Sequence, residues 1–410
     1  MPTDRFERAL SSELDSLRQR GTLKGAEPLI TRVLPAAGER GPRYLLAGEG
    51  DQPFLKMNSN NYLGMALRSE LVHAEEAASR TFGVGPGAVR FISGTYQAHL
   101  DLEARLAAFH GRESAMIFSS AYAAMLGVLV PLATAETVVI SDELNHNCII
   151  MAMRLARPKD KQIYKHLDMA DLEARLAAAA GTCRRAIVVT DGIFSMRGDH
   201  APLPEIVALA RRFDEKFPEN VVVMVDDSHG IGSFGRTGRG VEERTGSGPV
   251  DILVATLGKA LGVNGGYVTG SRTLTDFLRE TASTYIYSNP ITVGECAAAL
   301  AAVDILDSPA GLRLLEHLRA MTARFEQGLT RLGYETIPGE HPVVPLMVRD
   351  TAKTTALVAH LRHHGILATG LKYPVVPRGD ESIRFQVSAD HTPYDIDSAL
   401  AVLERFPGRG

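Results

Sequence analysis

Val221-Val-Val-Met-Val225 runs without a break into Asp226-Asp-Ser-His229, and Ile252-Leu-Val-Ala-Thr256 runs into Leu257-Gly-Lys259-Ala-Leu261. In each, a β-rich apolar run stops abruptly at polar residues. A strand buried on both faces reads this way, because helices cover the sheet on either side. The polar residues then fall at the strand's carboxyl end, where open α/β sheets bind their ligands. Working outward, residues 115–119, 137–141, 186–190 and 266–269 also read as strands, with helical patterns such as 171–180 and 203–216 between them. Such alternation predicts an α/β fold with a mainly parallel, helix-covered sheet.

The flanks read differently. Phe6, Leu10, Leu14 and Leu17 recur at helical spacing among charges, so the chain opens with an amphipathic helix. A Gly/Pro-punctuated arm follows, giving an N-terminal segment over 1–53 and a large domain over 54–290. Beyond Pro290 come long helical patterns at 293–305 and 311–332, then short alternating segments at 343–348, 354–363, 383–388 and 394–406. Residues 291–410 therefore read as a smaller α+β domain.

Bulk properties narrow the function classes. The chain has 410 residues, 45% hydrophobic and 22% charged, ordinary values for a globular protein with ample core. A net charge of −4 gives no electrostatic footprint for nucleic acid or an anionic membrane. Cys148, Cys183 and Cys296 are scattered, with neither disulfide nor zinc spacing, so no metal site is expected. The start carries early acids without an apolar core, and no stretch reaches bilayer length. The expectation is a cytoplasmic enzyme.

Its chemistry is read from residue pairs. Asp226 is suited to face a pyridine nitrogen and keep it protonated, and His229 to donate to a neighbouring oxygen. Taken alone, either reads equally as a structural residue at a strand end. Lys259 after a strand and a glycine can point into a cleft, where burial beside a cation makes an amine nucleophilic. Thr256 offers a hydroxyl to a phosphate. Ala121 and Tyr122, after Ser119-Ser120, begin a helix whose free N–H groups and dipole suit an anion; plain Ser capping explains the same residues. His146 is placed to lay its ring on a cofactor face. Together these suit pyridoxal 5′-phosphate (PLP), which needs a lysine, an acid and a phosphate cradle. Gly230-Ile-Gly-Ser-Phe-Gly235 matches a dinucleotide fingerprint, but no helix start follows, and Asp251 opens a strand instead of ending one.

These residues lie in motifs through which the chain resembles the α-oxoamine synthases, PLP-dependent fold-type I enzymes that condense an amino acid with an acyl-CoA. The motifs are Asn60-Asn-Tyr-Leu-Gly64, Val89-Arg-Phe-Ile-Ser-Gly-Thr95, Ser141-Asp-Glu-Leu-Asn-His146, Thr190-Asp-Gly-Ile-Phe-Ser-Met196, Val225-Asp-Asp-Ser-His229 and Thr256-Leu-Gly-Lys-Ala-Leu261. The resemblance implies that Lys259 is the Schiff-base lysine, Asp226 the pyridine partner and His229, with Ser195, the ligands of the phenolic oxygen. It implies that His146 stacks on the ring, and that Ala121, Tyr122 and Thr256 hold the phosphate. It further implies a homodimer in which Ser288 reaches the neighbouring subunit's cofactor, and that Asn60 and Arg384 hold the substrate carboxylate. Within the family, Tyr373-Pro-Val-Val-Pro-Arg-Gly resembles the glycine C-acetyltransferase (2-amino-3-ketobutyrate CoA ligase) branch, which implies glycine and acetyl-CoA. The 8-amino-7-oxononanoate synthases share all the cofactor residues. An aminotransferase and an inactive partner subunit are more distant alternatives. One departure stands out: Arg197 replaces the family's usual Asp in Phe-Ser-Met-Asp-Gly.

Overall fold

The computed structural model describes residues 3–20, 22–23, 26–373 and 376–408; Gly21, and Pro374 and Val375 of the Tyr373 run, lie outside the described residues. A seven-stranded sheet organises the chain. Its strands are β1 (Ser114–Phe118), β2 (Thr137–Asp142), β3 (Asp160–Tyr164), β4 (Arg185–Asp191), β5 (Val221–Asp226), β6 (Ile252–Thr256) and β7 (Gly266–Gly270). They lie side by side in the order β1-β7-β6-β5-β4-β2-β3. Pairing from β3 to β6 is parallel, and only β7 runs antiparallel to both its neighbours.

The apolar runs are explained by burial on both faces. Val221, Val223 and Val225 point into one core layer, with Ala186 and Val188 beside them. Met224, Ile187 and Val189 point into the other, under the helices Ala121–Leu132 and Asn147–Leu155. The period-2 alternation of a strand therefore shows here as which core a residue enters, not as apolar against polar. Strand β3 departs from the sequence reading, which has no strand there. Asp-Lys-Gln-Ile-Tyr forms the outer edge, where only Tyr164 is buried, so its sequence carries edge charges instead of an apolar run.

The Gly/Pro-punctuated arm also departs from expectation, since Ile30–Leu34 and Arg43–Leu46 pair as an antiparallel hairpin. The opening helix spans Asp4–Gln19, with none of its residues buried. Toward the C-terminus, the helices Val293–Leu306 and Pro309–Arg331 lead into a four-stranded antiparallel sheet. Leu55–Lys56 pairs in parallel with Ile366–Leu367, and the Met57 carbonyl accepts from the Gln386 amide at 2.8 Å. The segment leading to Asn60 is thus stitched to the C-terminal strands.

Strand β7 approaches a helix closely enough to fix where that helix begins. On Gly266, in β7, an added Cβ would lie 2.1 Å from the Ala121 nitrogen, at the start of the helix Ala121–Leu132. Replacing Gly266 with alanine must displace that helix start, because backbone cannot yield as a flexible side chain does. The expected cost is about 1–3 kcal/mol, read from denaturant titration. A loss below about 0.5 kcal/mol, the scale of ordinary surface changes, would show that the helix moves freely.

Candidate active site

Parallel pairing brings the strand ends together. Asp226 closes β5 directly opposite Asp191, which closes β4, so two acids stand side by side at the carboxyl edge. Thr256 closes β6, and the chain then turns through Lys259, with the Gly262 amide donating to the Lys259 carbonyl at 3.0 Å. Gly262 has φ +71°, and a Cβ there would meet the Ala66 nitrogen at 2.4 Å, so the turn needs glycine. A cleft opens over these ends. It is lined by Ala121, Tyr122, His146, Ser195, Asp226, His229, Thr256 and Lys259 together. Ser120, Cys148, Asp191, Ile193 and Ser228 complete the lining.

The electrostatics are set by burial. Desolvation lowers the Lys259 pKa below its ordinary value, with the nearby Asp226 and Asp191 opposing it. Asp191 is pushed well above the ordinary carboxylate value, first by burial and then by Asp226 beside it. One Asp191 oxygen accepts from the His146 backbone N–H at 3.0 Å; the other, buried, has no partner. His229 is driven well below the ordinary histidine range by burial, then by Lys259 and Arg384, so its ring is neutral.

Neighbours fix each ring. His229 Nδ1 lies 2.8 Å from the Tyr62 hydroxyl, which is also 3.2 Å from Asn60 Oδ1. Behind it, His341 Nε2 sits 2.9 Å from the His229 carbonyl oxygen. His146 caps the helix Asn147–Leu155, its Nδ1 accepting from the Cys148 amide at 3.3 Å, which puts the ring proton on Nε2. Burial lowers its pKa as well; Asp226 works against that shift and Lys259 with it. The Cys148 thiol, 3.5 Å from Asp226 Oδ2, is pushed up chiefly by desolvation and stays a thiol.

At the opposite end, Ser120 Oγ accepts from the Ala123 amide at 3.0 Å. This leaves the first-turn N–H groups of Ala121 and Tyr122, which have no intrahelical acceptor, facing the cleft. The Thr256 hydroxyl, donating to the Gly265 carbonyl at 3.1 Å, borders the same end. A phosphate fits these donors, and a heterocycle carrying a ring nitrogen and an oxygen fits between Asp226 and His229. Asp191 and Ser228, both in the cleft lining, each keep a buried polar atom without a partner, Asp191 Oδ1 and Ser228 Oγ. The residue set thus accommodates PLP.

Asn60, Arg384 and Ser288 lie outside the cleft lining. Arg384, on the strand Ser382–Gln386, donates through Nε to the Ser195 carbonyl at 2.5 Å and through Nη2 toward Asn60 Oδ1 at 3.4 Å. Burial lowers its pKa, and no carboxylate pairs with it among the described residues. Ser288 sits apart from its own chain's cleft, its hydroxyl 3.4 Å from the Asn289 carbonyl. The unusual Arg197 turns to Asp199, Nε to Oδ2 at 2.8 Å, so the reversed charge is neutralised locally. Tyr62, Asp191, Cys148 and His341 are site residues that the sequence reading does not single out. Asp191 carries the same strand-end signal as Asp226, and Tyr62 lies within a motif already noted; His341 has no signal.

Known proteins share this arrangement of chain. Residues 52–403 match the family model for aminotransferase class I and II. The chain is 38% identical to an 8-amino-7-oxononanoate synthase of Thermosipho melanesiensis, over 96% of each sequence. It is 39% identical to the human mitochondrial 2-amino-3-ketobutyrate coenzyme A ligase, over 95% of this chain and 90% of that one. Among solved structures, Sphingomonas wittichii serine palmitoyltransferase superimposes with a TM-score of 0.87 at 28% identity, covering 98% of this chain and 97% of that one. A structure of SPT with PLP gives 0.85 at 26% identity, covering 98% of both.

Tyr62 offers a direct test of how the site is held. Tyr62→Phe removes the hydroxyl that His229 Nδ1 faces and leaves a buried polar nitrogen without that partner. The expected loss is about 1–3 kcal/mol in denaturant titration, with severalfold weaker PLP binding by absorbance. Unchanged values in both would remove Tyr62 from the site's support.

Proposed function

The chain belongs to the aminotransferase class I and II family and, within it, to the PLP-dependent α-oxoamine synthases, and on that premise we propose that it joins a small amino acid to the acyl group of an acyl-CoA. Glycine and acetyl-CoA are the proposed pair, giving 2-amino-3-oxobutanoate and CoA. The observation that carries the reading is the assembly in one cleft of Lys259, Asp226 and the free N–H groups of Ala121 and Tyr122.

Bound PLP supplies an electron sink for the carbanion at the amino acid's Cα. Lys259 would be the amine that bonds to it, Asp226 would hold its pyridine nitrogen, and His229 and Ser195 its phenolic oxygen. His146 would lie against its ring, and Ala121, Tyr122 and Thr256 would hold its phosphate. Lys259 Nζ would take up the Cα proton, and burial lowers its pKa below that of an ordinary lysine, which favours the free amine a base needs. Arg384, a buried cation with no counter-ion of its own among the described residues, and Asn60 clamp the substrate carboxylate. The new bond joins Cα to the thioester carbonyl carbon, and the carbon–sulfur bond breaks to release CoA.

We propose also a homodimer, with Ser288 serving the partner's cofactor. Phe91, Ile92 and Tyr287 are 64%, 65% and 78% exposed, and Arg90 stacks over Tyr285 at 5.4 Å, which brings the two loops together. So large an exposed apolar group favours a covering subunit.

A second reading has a specific observation behind it. A second cavity shares Ser195 with the cleft, and its largely apolar wall includes Leu144, Phe194, Met196, Met347, Leu371 and Val376 beside the polar Glu143, Asn145, Arg197 and Asp380. Such a wall favours an acyl chain longer than acetyl, as in 8-amino-7-oxononanoate synthesis.

Two experiments divide these readings. Borohydride treatment of the PLP-loaded protein should attach cofactor covalently at Lys259, and Lys259→Ala should show neither adduct nor turnover while still binding PLP; near-normal turnover in that variant refutes the mechanism. Thiol release with glycine or alanine against a graded series of acyl-CoAs should peak at acetyl-CoA with glycine. A peak at pimeloyl-CoA with alanine selects the second reading.

A further inference from the structure

His166 stands outside the cleft but between the two loops that feed it. It follows β3 and its neighbour Tyr164, and its ring has a carboxylate at each nitrogen. Nδ1 lies 3.0 Å from Asp142 Oδ1, and Nε2 lies 3.3 Å from Asp199 Oδ2. A carboxylate can only accept, so both ring nitrogens are satisfied only when both carry protons. Asp142 closes β2 and begins the loop that ends at His146; its Oδ1 also accepts from the Leu144 amide at 2.9 Å. Asp199 ends the loop that carries Ser195, and the edge of the imidazole packs on Phe194 with ring centroids 4.4 Å apart.

The surrounding chain is committed to the same junction. Leu167 is held at φ +57°, a left-handed conformation costly for a leucine. Its amide is there paired with Asp142 Oδ2 at 3.0 Å, while the His166 amide donates to Glu143 Oε1 at 2.8 Å. The charged or titratable groups facing the ring are thus Asp142 and Glu143 from one loop, Asp199 and its partner Arg197 from the other, and the buried Tyr164 hydroxyl, itself pushed up by burial and Asp142. Ser195, one residue from Phe194, passes the constraint on, because its carbonyl accepts from Arg384.

We infer that His166 is a positioning residue, an imidazolium tie that locks the His146 loop to the Ser195 loop and so sets the spacing of the groups on either side of the cofactor. Arg197 belongs to the same device: with a base at that position, Asp199 is shared between two cations and holds the loop from both sides. Burial works against the charge on His166, but the bonds to Asp142 and then Asp199 outweigh it and raise the pKa to about 9. Because the folded value is raised, the tie is complete below the ordinary histidine pKa and is lost as pH climbs through about 9.

The test reads PLP affinity alone, so it stands or falls independently of the amino acid and acyl-CoA assigned above. Affinity is measured by absorbance from about pH 7.5 to 10, a window spanning the raised histidine value, on wild type, His166→Asn and Asp199→Asn. Lys259 also titrates, so the criterion is the part of the alkaline loss that disappears with the imidazole. His166→Asn should bind PLP roughly tenfold more weakly at about pH 7.5, the scale of outer partners that orient a site's direct contacts, and should lose that part of the limb. Asp199→Asn should move the limb to lower pH. Wild-type affinity in His166→Asn, or a limb identical in all three proteins, overturns the inference. Should His166→Asn fail to fold, the limb of Asp199→Asn decides alone: displaced downward it supports the tie, unmoved it refutes it.

Discussion

Lys259 is an amine held out of water above two acids on adjacent strands, and the chain around the cleft is arranged to make that burial tolerable. Removing an isolated ammonium from water costs several kcal/mol even after a protein relaxes around it. Asp226 and Asp191 offset the cost from below, while the amine's own pKa falls to share it. The acids then compete with each other. Asp191 is the one pushed upward, with one of its oxygens taken by the His146 amide. An amine less basic than a free lysine follows from this compromise, and it is the property that the proposed chemistry uses.

Around that centre lies a shell drawn from remote parts of the chain. Tyr62 steers His229 and touches Asn60, which in turn meets Arg384 from the C-terminal sheet. These contacts are possible because the segment before Asn60 forms strand pairs with residues 366–367 and 386. Residues from remote parts of the chain therefore meet beside the cleft, although every residue proposed to face the cofactor but Ser195 sits at a strand end, in the turn after one or at a helix start. Arg384 has no counter-ion among the described residues, which supports the carboxylate-binding role proposed for it.

How much of this is legible in the sequence depends on the range of the interaction. Asp226, His229, Thr256 and Lys259 are legible because a doubly buried strand leaves an apolar run, and its end is marked by the first polar residue. Ala121 and Tyr122 are legible because a helix start has its own short-range code. Strand β3 is not, since edge strands satisfy only one neighbour and carry charges that mimic a loop. The hairpin in the arm is hidden in the same way by its prolines and glycines. His341 and Cys148 give no signal at all, because a lone histidine or cysteine acquires meaning only from what packs against it.

By itself the sequence determined the local events: which runs are strands, where they end, which helix starts hold free amides, and therefore the chemical inventory of the site. Tertiary structure alone decided the pairings across distance: Asp191 beside Asp226, Tyr62 on His229, Arg384 reaching Ser195 and Asn60, and His166 between Asp142 and Asp199. The physical reason is that backbone propensity and burial pattern are set within a few residues. Desolvation, hydrogen-bond partnership and shared charge arise only when segments far apart in sequence are packed into one low-dielectric space.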